Sequence, residues 1–558
     1  MYASANPFDY FSDLSGSPLD GGYVYYGQPN QDPIQFPKAV YQDAALTIPA
    51  PQPLRVTNGN LSFNGKPVYL FTGEGSYSIL VQDVNLRQVY FVPDFLLIGN
   101  SVPATLTALN AAIAGVKADL ASTTDATKGD AMVGAKQPIA NATGRTQHDK
   151  NLDFVSVKDF GAVLDGVTDD SAAFNNALAS GRNVWVPFTT GGTKINSTVT
   201  IGTGQFLTFE DANMRVKSTI STCVFRLTGY GDFFNTTSGI RGGCTIDMNG
   251  APAGSTAIRF GTGTGVVWGI RLQGRFVFYN CYEAIGDEAS ASNYVTDVRI
   301  DDVFCRYTNG RQIYSRRSRG FFVFNDIYID QSANPAGTPI IWEGARFEDF
   351  IGIELNRFDV ATGGLGAPSY QATAIGLVLN GTGQPGQNPS VWIKRLLIDN
   401  TYGNGLLVNN VLNLRIDDCQ TYQNLGYGMQ FASVTQSQIT KLSCVGGLGV
   451  TGASAGQIGI QFTSCDQVAI ACIESILNTS SGVFLNNCTR FLVTNFLTRN
   501  NSNIGWVEQG TSNINIKVCG ASYSNTVHDL TQVGASSNTS KWVSSVAFRE
   551  SDTGAINV

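Results

Sequence analysis

The feature that most constrains this sequence is a glycine that recurs ahead of an apolar alternation in its last third. The recurring pairs are Gly405-Leu406, Gly428-Met429, Gly459-Ile460, Gly482-Val483 and Gly505-Trp506. They are separated by 23, 31, 23 and 23 residues. Between them lie alternating segments such as Val468-Ala469-Ile470 and Phe491-Leu492-Val493, so each period supplies at least two short strands. We interpret one period as one coil of a solenoid, whose stacked coils pair in parallel and bury a continuous core.

Composition agrees with a chain built from short strands. Glycine accounts for 61 of the 558 residues, and only 14% of the residues are charged. That balance favours strands and tight turns over long helices, and the length predicts two or more structural units. The formal charge of -7 and the lack of a Lys/Arg cluster argue against nucleic acid and anionic membranes as partners.

Other patterns narrow the chemistry. Met1 to Phe11 lacks the basic and apolar regions of a signal peptide, and no apolar run approaches the roughly 20 residues of a membrane helix. The cysteines lie singly between Cys223 and Cys519 without a CxxC pair, so we expect buried free thiols rather than zinc sites or disulfides. His148 and His528 are the only histidines. Acid-base chemistry therefore falls to carboxylates, and no cofactor is expected.

Residues 1–98 contain strand-like runs separated by Pro-rich loops and Asn-Gly turns, as in a small independent β domain. Three segments, Asn6-Pro7-Phe8-Asp9-Tyr10, Gly22-Tyr23-Val24-Tyr25-Tyr26-Gly27 and Pro67-Val68-Tyr69, resemble the head-binding domain of short-tailed phage tailspikes. The resemblance implies that residues 1–98 anchor the chain in the virion through phage tail and head-connector proteins.

Residues 99–150 are predicted to form a coiled-coil neck followed by a linker. Apolar residues recur there at intervals of 4, 3, 4, 3 and 4, which is the spacing of a coiled-coil seam. The seam consists of Val102, Leu106, Leu109, Ile113, Val116 and Leu120. The β-branched residues at its d positions argue against a simple dimer, so we expect a parallel homotrimer. The alternative is a single amphipathic helix packed on the first domain.

The segment from Phe154 to Asp170, followed by a short helical stripe and the strand Val184-Trp185-Val186, opens the third region. It resembles the entry motif of pectate-lyase-like β-helices in phage spikes and polysaccharide-acting enzymes. The resemblance implies an all-β fold with a right-handed parallel β-helix over residues 151–520, and we assign residues 521–558 to a C-terminal cap and trimer contact. Members of that family usually carry Gly where Leu164 stands, so the local turn is expected to differ. The nearby aspartates are explained by turn and helix-start chemistry.

Several strands end in an apolar residue followed by a carboxylate. The pairs are Ile300-Asp301, Ile329-Asp330, Ile353-Glu354, Ile398-Asp399, Ile416-Asp417 and Ile473-Glu474. If each Ile points into the core, alternation directs the acid outward. Equivalent acids on adjacent coils would then form a ladder with a spacing of about 4.7 to 4.9 Å. Glycoside hydrolysis uses two carboxylates about 5 to 5.5 Å apart for retention, or about 6.5 to 9.5 Å apart with a water between them for inversion. Neighbouring or next-neighbouring coils could supply either pair, and crowding raises the pKa of one carboxylate.

The densest acidic neighbourhood runs from Asp326 to Asp359 and also contains aromatic residues. The candidate catalytic residues are Asp330, Glu343 and Glu354, with Asp349 and Asp399 next. The candidate substrate-binding residues are Trp342, Trp392, Tyr370, Tyr402 and Arg346. Aromatic rings beside acids suit a sugar, whose C–H faces stack while its hydroxyls form hydrogen bonds. No metal site is expected among these residues.

The resemblance and the carboxylates together predict a virion-associated phage tailspike, made in the host cytoplasm, that recognises host surface polysaccharide. We expect endoglycosidic hydrolysis of an O-antigen or a capsule by paired carboxylates. Two alternatives stay open. The first is a polysaccharide lyase acting by β-elimination, and the second is an adhesin that binds glycan without cleaving it.

Overall fold

A computed structural model describes residues 2–3, 10–73, 75–95, 101–229, 237–249, 252–261, 265–288, 294–306, 310–330, 343–361, 375–381, 388–401, 403–448, 456–510, 514–533 and 541–544. The chain divides into two compact units, Met1–Lys150 and Asn151–Val558. The division coincides with the predicted start of the third region.

The first unit contains two antiparallel sheets, a short two-stranded pairing and a long helix. The described strands are Tyr2–Ala3, Phe71–Thr72, Val40–Tyr41 and Pro49–Ala50 in one sheet, Gln88–Phe95, Tyr77–Gln82, Tyr23–Gly27, Leu54–Thr57, Asn60–Phe63 and Lys66–Pro67 in the other, and Gly134–Ala135 with Arg145–Thr146. The helices are Ser101–Leu120, the 3-10 turn Gly129–Met132 and Gln147–Asn151. Val24, Tyr26, Tyr77 and Ile79 are fully buried, because alternation directs one face of each strand into a shared core. The predicted small β domain is therefore present.

The predicted neck forms the helix Ser101–Leu120. The seam side chains that the structure describes, from Leu106 to Leu120, are between 43% and 54% exposed. They are not packed on the first domain, which contradicts the alternative of a helix that buries its seam there. An apolar seam left in water is typical of a helix that packs on partner helices, and the homotrimer stays a prediction.

The second unit is a right-handed parallel β-helix made of two parallel sheets. The long sheet contains, among the described residues, Val155–Ser156, Asp165–Asp169, Val184–Val186, Gly192–Lys194, Phe206–Phe209, Arg215–Lys217, Ser238–Asp247, Val266–Tyr279, Tyr294–Arg306, Ser318–Asp330, Phe350–Leu355, Phe358–Ala361, Ser390–Asp399, Asn413–Asn424, Thr435–Gly446, Asp466–Ile476, Thr489–Arg499, Ile514–Tyr523 and Lys541–Ser544. The short-strand sheet contains Val199–Ile201, Cys223–Leu227, Thr256–Phe260, Glu283–Asp287, Arg311–Ser315, Glu343–Glu348, Ile375–Asn380, Leu406–Asn409, Met429–Ala432, Ile460–Thr463, Val483–Asn486, Ile504–Gln509 and His528–Val533. The 3-10 turn Val157–Phe160 and the helix Ser171–Leu178 lie near its start.

Strands of the long sheet have two arms joined by a bend. In Ser390–Asp399, Val391 and Ile393 face the core in the first arm, and Leu396 and Ile398 face it in the second. Two polar residues, Lys394 and Arg395, separate the arms. Because alternation restarts after the bend, an outward residue can belong to either arm.

The recurring glycine of the sequence begins the strands of the short-strand sheet. A Cβ at Gly428 would lie 2.3 Å from Cys444 Sγ and 2.5 Å from the carbonyl oxygen of Gly459. At Gly459 it would lie 2.1 Å from Ser475 Oγ. The glycine repeats because neighbouring coils approach too closely there for any side chain.

A row of buried asparagines fastens successive coils where the second arm turns toward the short-strand sheet. Asn478 Nδ2 donates to Asn501 Oδ1 at 2.7 Å, and Asn501 Nδ2 donates to Asn525 Oδ1 at 2.8 Å. The backbone N–H of Asn478 also donates to Asn501 Oδ1 at 3.0 Å. These bonds satisfy polar groups that the turn would otherwise bury unpaired.

At the entry motif, the turn interpretation of the aspartates is confirmed. Asp165 Oδ1 accepts from the backbone N–H groups of Val167 and Thr168, and Asp170 Oδ1 accepts from that of Val163 at 2.7 Å. Leu164 has a φ of 59°, the left-handed conformation that favours glycine. The left-handed backbone at Leu164 explains why members of the resembling family usually carry glycine at this position.

Both sheets continue beyond residue 520, where the sequence predicts the β-helix to end. Trp506 pairs with Leu530, and Val518 pairs with Trp542. The predicted boundary is too early because strands pair through backbone groups, and the polar composition of this segment does not end the sheets.

Candidate functional site

Three aspartates lie on the outward face of the second arm in three successive strands of the long sheet. Tyr328 pairs in register with Asp359, and Asp359 pairs with Leu397. Two residues further along, Asp330 pairs with Ala361, and Ala361 pairs with Asp399. Ile329, Val360 and Ile398 separate these two rows and point into the core. We call Asp330, Asp359 and Asp399 the carboxylate cluster.

The cluster surrounds a gap at Ala361. Asp330 and Asp399 stand one strand away from Ala361 on either side, so their backbone positions are about 9.6 Å apart at two strand spacings. Asp359 lies on the diagonal to both, at roughly 7 to 8 Å by the usual geometry of neighbouring strands. Since alanine carries only a methyl group, its own side chain does not fill the space between the outer two carboxylates.

Burial perturbs two members of the cluster. Burial raises the pKa of Asp399, and a backbone hydrogen bond from Asn400 opposes the rise. Burial also raises the pKa of Asp359, while Arg395 and Arg357 oppose the rise. Asp359 Oδ1 and Asp399 Oδ1 are buried without a hydrogen-bond partner in the described part of the chain. Buried carboxylate oxygens normally have partners, so these two suit a ligand hydroxyl or a retained proton.

Aromatic rings lie at both ends of the cluster. The Tyr328 ring stacks on Phe304 with 5.3 Å between ring centroids and 16° between planes, and Tyr328 is 39% exposed. Burial, followed by the charges of Asp330, Asp359 and Asp399, raises the pKa of the Tyr328 phenol. At the other end Tyr422, which is 42% exposed, pairs in register with Asp399. Exposed rings beside carboxylates form a surface suited to a sugar.

A groove of about 530 Å³ adjoins the cluster at the bend between the arms. Its lining is mostly charged and includes the Phe304–Tyr328 stack. The lining residues are Arg275, Asp302, Val303, Phe304, Asp326, Tyr328 and Arg357. Arg357 Nε lies 3.2 Å from Asp326 Oδ1. Because Tyr328 borders both features, one extended ligand can contact the groove and the cluster.

The structure brings two of the five predicted catalytic residues together, Asp330 and Asp399. Glu343 lies in the short-strand sheet, where Arg311 Nε at 2.6 Å and Arg346 Nη1 at 2.7 Å both contact its carboxylate. The guanidinium of Arg346, a predicted substrate-binding residue, also contacts Glu348 at 2.6 Å. Glu343 and Arg346 therefore satisfy each other in an ion-pair network away from the cluster.

Glu354 and Asp349 also lie elsewhere. Glu354 is on the first arm, where its Oε1 accepts from Lys394 Nζ at 2.8 Å and it pairs in register with Trp392. Asp349 stands in the turn between two strands and lies 3.1 Å from Arg317 Nε. Of the predicted aromatic contacts, Trp342, Tyr370 and Tyr402 lie outside the described residues.

The predicted acidic ladder is wrong. Asp301 pairs in register with Asn325, Glu354 with Val323 and Trp392, and Glu474 with Ser443 and Leu497. No two of the six apolar-acid pairs place their carboxylates on adjacent strands in register within the described coils. The alternation identifies the outward face but not the arm, so equivalent-looking acids stand at different positions along the coil.

Sequence reasoning missed Asp359 as a site residue because Phe358, not Ile, precedes it. It also passed over Tyr422 in favour of Tyr402. An alignment of inward residues would have revealed both, since Tyr328-Ile329-Asp330, Asp359-Val360-Ala361 and Leu397-Ile398-Asp399 share one outward-inward-outward pattern.

The ten cysteines are free, and all but Cys472 and Cys519 are buried. Among the described residues no group of three or more His, Cys, Asp or Glu side chains is arranged to hold a metal ion. In the same residues no helix combines the length and apolarity that a membrane span needs.

One segment of the β-helix is similar to a known protein family. Residues 154–334 match the family described as rhamnogalacturonase A/epimerase, pectate lyase-like. The matched segment begins at the entry motif and ends beyond Asp330, so the likeness includes the first strand of the cluster.

Curated relatives of the chain are phage tail spike proteins. The tail spike protein of Shigella phage Sf6 is 32% identical over 221 residues, which is 37% of this chain and 34% of that protein. The tail spike protein of an Escherichia phage is 46% identical over 56 residues, 10% of this chain and 7% of that protein. The matches thus span about a third of the first relative and less than a tenth of the second. They confirm the tailspike resemblance predicted from the sequence.

Among solved structures, tailspike protein 3 of bacteriophage CBA120 is similar with a TM-score of 0.48 and 14% identity. The similarity covers 91% of this chain and 74% of that one.

Proposed function

We propose that this chain is a phage tail spike subunit that binds a host surface polysaccharide, an O-antigen or a capsule, and hydrolyses it internally as an endoglycosidase. The tail spike relatives and the pectate lyase-like β-helix support the phage context. The observation that carries the hydrolase assignment is the placement of Asp330 and Asp399 on either side of Ala361, beside exposed aromatic rings.

An inverting mechanism suits this spacing. Inverting glycosidases hold their two carboxyl groups about 6.5 to 9.5 Å apart, with room for a water between them. The two strand spacings between Asp330 and Asp399, about 9.6 Å at the backbone, are close to the upper limit of that range. Retaining enzymes need about 5 to 5.5 Å, which is one strand spacing, and an alanine occupies that position here.

The environments of the carboxylates suggest their roles. Burial raises the pKa of Asp399, which favours its protonated form, so we assign Asp399 as the general acid on the glycosidic oxygen. Asp330 removes a proton from the water that attacks the anomeric carbon from the opposite face. The glycosidic C–O bond breaks, the leaving sugar takes the proton of Asp399, and the new reducing end has inverted configuration. Asp359 stabilises the positive charge that develops on the sugar ring.

The same geometry supports hydrolysis over β-elimination. A lyase needs a group that removes a sugar proton, and Tyr328 is one of the two phenols beside the cluster. Burial and three neighbouring aspartates raise the pKa of Tyr328, which disfavours the phenolate that elimination requires.

The remaining assignments follow the tail spike context. We propose that residues 1–98 attach the chain to phage tail and head-connector proteins. The exposed seam of Ser101–Leu120 would join three copies into a homotrimer. The protein would be made in the host cytoplasm and incorporated into the virion.

The test incubates the purified full-length chain with O-antigen and capsular polysaccharides of bacteria on which the phage grows. New reducing ends without unsaturated products support hydrolysis, and NMR of the first product identifies the inverted anomer. Reducing ends with unsaturation would assign a lyase, and binding without cleavage would assign an adhesin.

Variants connect the activity to the cluster. Asp330→Asn and Asp399→Asn should each lower the cleavage rate by about 10²- to 10⁴-fold, the usual contribution of general acid-base catalysis. Glu474→Gln is the matched control, because Glu474 is an outward carboxylate of the same row as Asp359, four strands away. Equal losses in all three variants would contradict the assignment.

A further inference from the structure

A second surface, on the first arm of the long sheet, combines an exposed indole with a guanidinium. Trp392 is 40% exposed and stands between Glu354 and Arg415 in three successive strands in register. Arg415 is exposed, and no ion pair or hydrogen bond engages its side chain within the described residues. The next outward residue along its strand, Asp417, is not paired with it there.

Lys394 fixes the other side of this surface. Its Nζ lies 4.8 Å from the centre of the Trp392 ring and donates to Glu354 Oε1 at 2.8 Å. The lysine charge is therefore neutralised by Glu354, and the indole is held by a cation–π contact. Arg415 makes no ion pair among the described residues, so its guanidinium can bind an anion beside Trp392.

The apolar surface extends one step beyond Glu354. Phe321, which is 64% exposed, lies over Gly352, where a Cβ would come within 2.7 Å of its ring. Gly352 pairs in register with Ser390 on the Trp392 strand, so a single glycine lies between Phe321 and that strand. The exposed Phe321 ring therefore adds apolar surface on the side of Glu354 away from Arg415.

This surface is separate from the carboxylate cluster. Trp392 and Asp399 lie on the same strand, seven residues apart. That is about 23 Å at 3.3 Å per residue, before the bend between the arms shortens it. A sugar bound at one surface does not contact the other.

We propose that Trp392 and Arg415 form a second carbohydrate-binding site that takes a pyranose bearing a carboxylate. The C–H face of the sugar stacks on the indole, and the carboxylate accepts two parallel hydrogen bonds from the guanidinium. The site holds an acidic polysaccharide without cleaving it, and it stands whether or not the carboxylate cluster hydrolyses glycans. Two sites on one chain raise the retention of the protein on a repetitive glycan.

The experiment measures binding of hexagalacturonate, a uronic acid oligomer, to the full-length chain by calorimetry, with the fully methyl-esterified hexamer as the uncharged probe. The parent chain should bind the acid at least tenfold more tightly than the ester. Arg415→Gln should remove that preference, which corresponds to about a 10- to 100-fold loss for the acid, the usual range for a charged hydrogen-bonded pair. Trp392→Ala should weaken both probes.

Two matched controls come from the same outward row. Lys517→Gln removes a positive charge four strands from Arg415, and Leu492→Ala removes an exposed apolar side chain three strands from it. Both should bind like the parent. The proposal is overturned if the parent binds neither probe, if it binds ester and acid equally, or if Lys517→Gln loses as much affinity as Arg415→Gln.

Discussion

The buried asparagine row predicts how strongly the coils depend on one another. Asn501 sits in the middle of the described part of that row and is fully buried. Its Oδ1 accepts from the backbone N–H and the Nδ2 of Asn478, and its Nδ2 donates to Asn525 Oδ1 and to the Ser475 carbonyl oxygen. Asn501→Ala removes these four hydrogen bonds and leaves buried donors and acceptors unpaired.

The magnitude follows from that count. At about 1 kcal/mol net for each bond, local opening of these coils becomes easier by about 4 kcal/mol. Since 1.4 kcal/mol corresponds to a tenfold change, amide exchange through local opening should accelerate by about 10³-fold. The assay is native-state hydrogen exchange followed by mass spectrometry of peptides from Asp466–Ile476 and Thr489–Arg499.

The control is Asn503→Ala. The Asn503 backbone donates to Ser480 and accepts from Val527, and these bonds survive the substitution. Its effect should stay within about 0.5 kcal/mol. Acceleration below tenfold for Asn501→Ala, or an equal effect of both variants, would refute the argument that side-chain bonds fasten the coils.

Three further predictions concern the site and the neck. Ala361→Leu places a larger side chain between Asp330 and Asp399. It should reduce the release of reducing ends by about 10²-fold, because a displaced substrate loses its alignment. The melting temperature should change little. Burial raises the folded-state pKa of Asp399 above its unfolded value, so ionisation destabilises the fold at neutral pH. Asp399→Asn should therefore melt higher than the parent at pH 7, and this advantage should vanish below the unfolded pKa of about 4. Ile113→Asp should abolish self-association in sedimentation experiments, because a charge in a buried seam has no partner.

The solenoid was predictable because its signals repeat. The glycine of each later coil marks a place where coils touch too closely for a Cβ, and the inward apolar residues alternate on both sides of it. Before Gly405 the length of each coil is not predictable from the spacing of the glycines. Asp330, Ala361 and Asp399 are 31 and 38 residues apart in sequence and are nevertheless in register.

The site was only partly predictable for a related reason. The pattern of an apolar residue before an acid selects outward carboxylates, which is why Asp330 and Asp399 were found. It does not distinguish the first arm from the second, so Glu354 entered the same set although it lies beyond the bend. Nor does it reveal that arginines neutralise an acid, as Arg311 and Arg346 do for Glu343, since those contacts depend on the register of another sheet.

The coils around the cluster differ in length, although their strands remain in register. Strand pairing here depends on which residues stand opposite each other and not on how many residues connect them. Lengthening a connection costs only about 0.6 kcal/mol for each doubling of its length. Insertions between Asp330 and Ala361, or between Ala361 and Asp399, can therefore change what surrounds the three aspartates while the aspartates keep their places. Altering these connections alone would leave the scaffold and the register of the three aspartates unchanged.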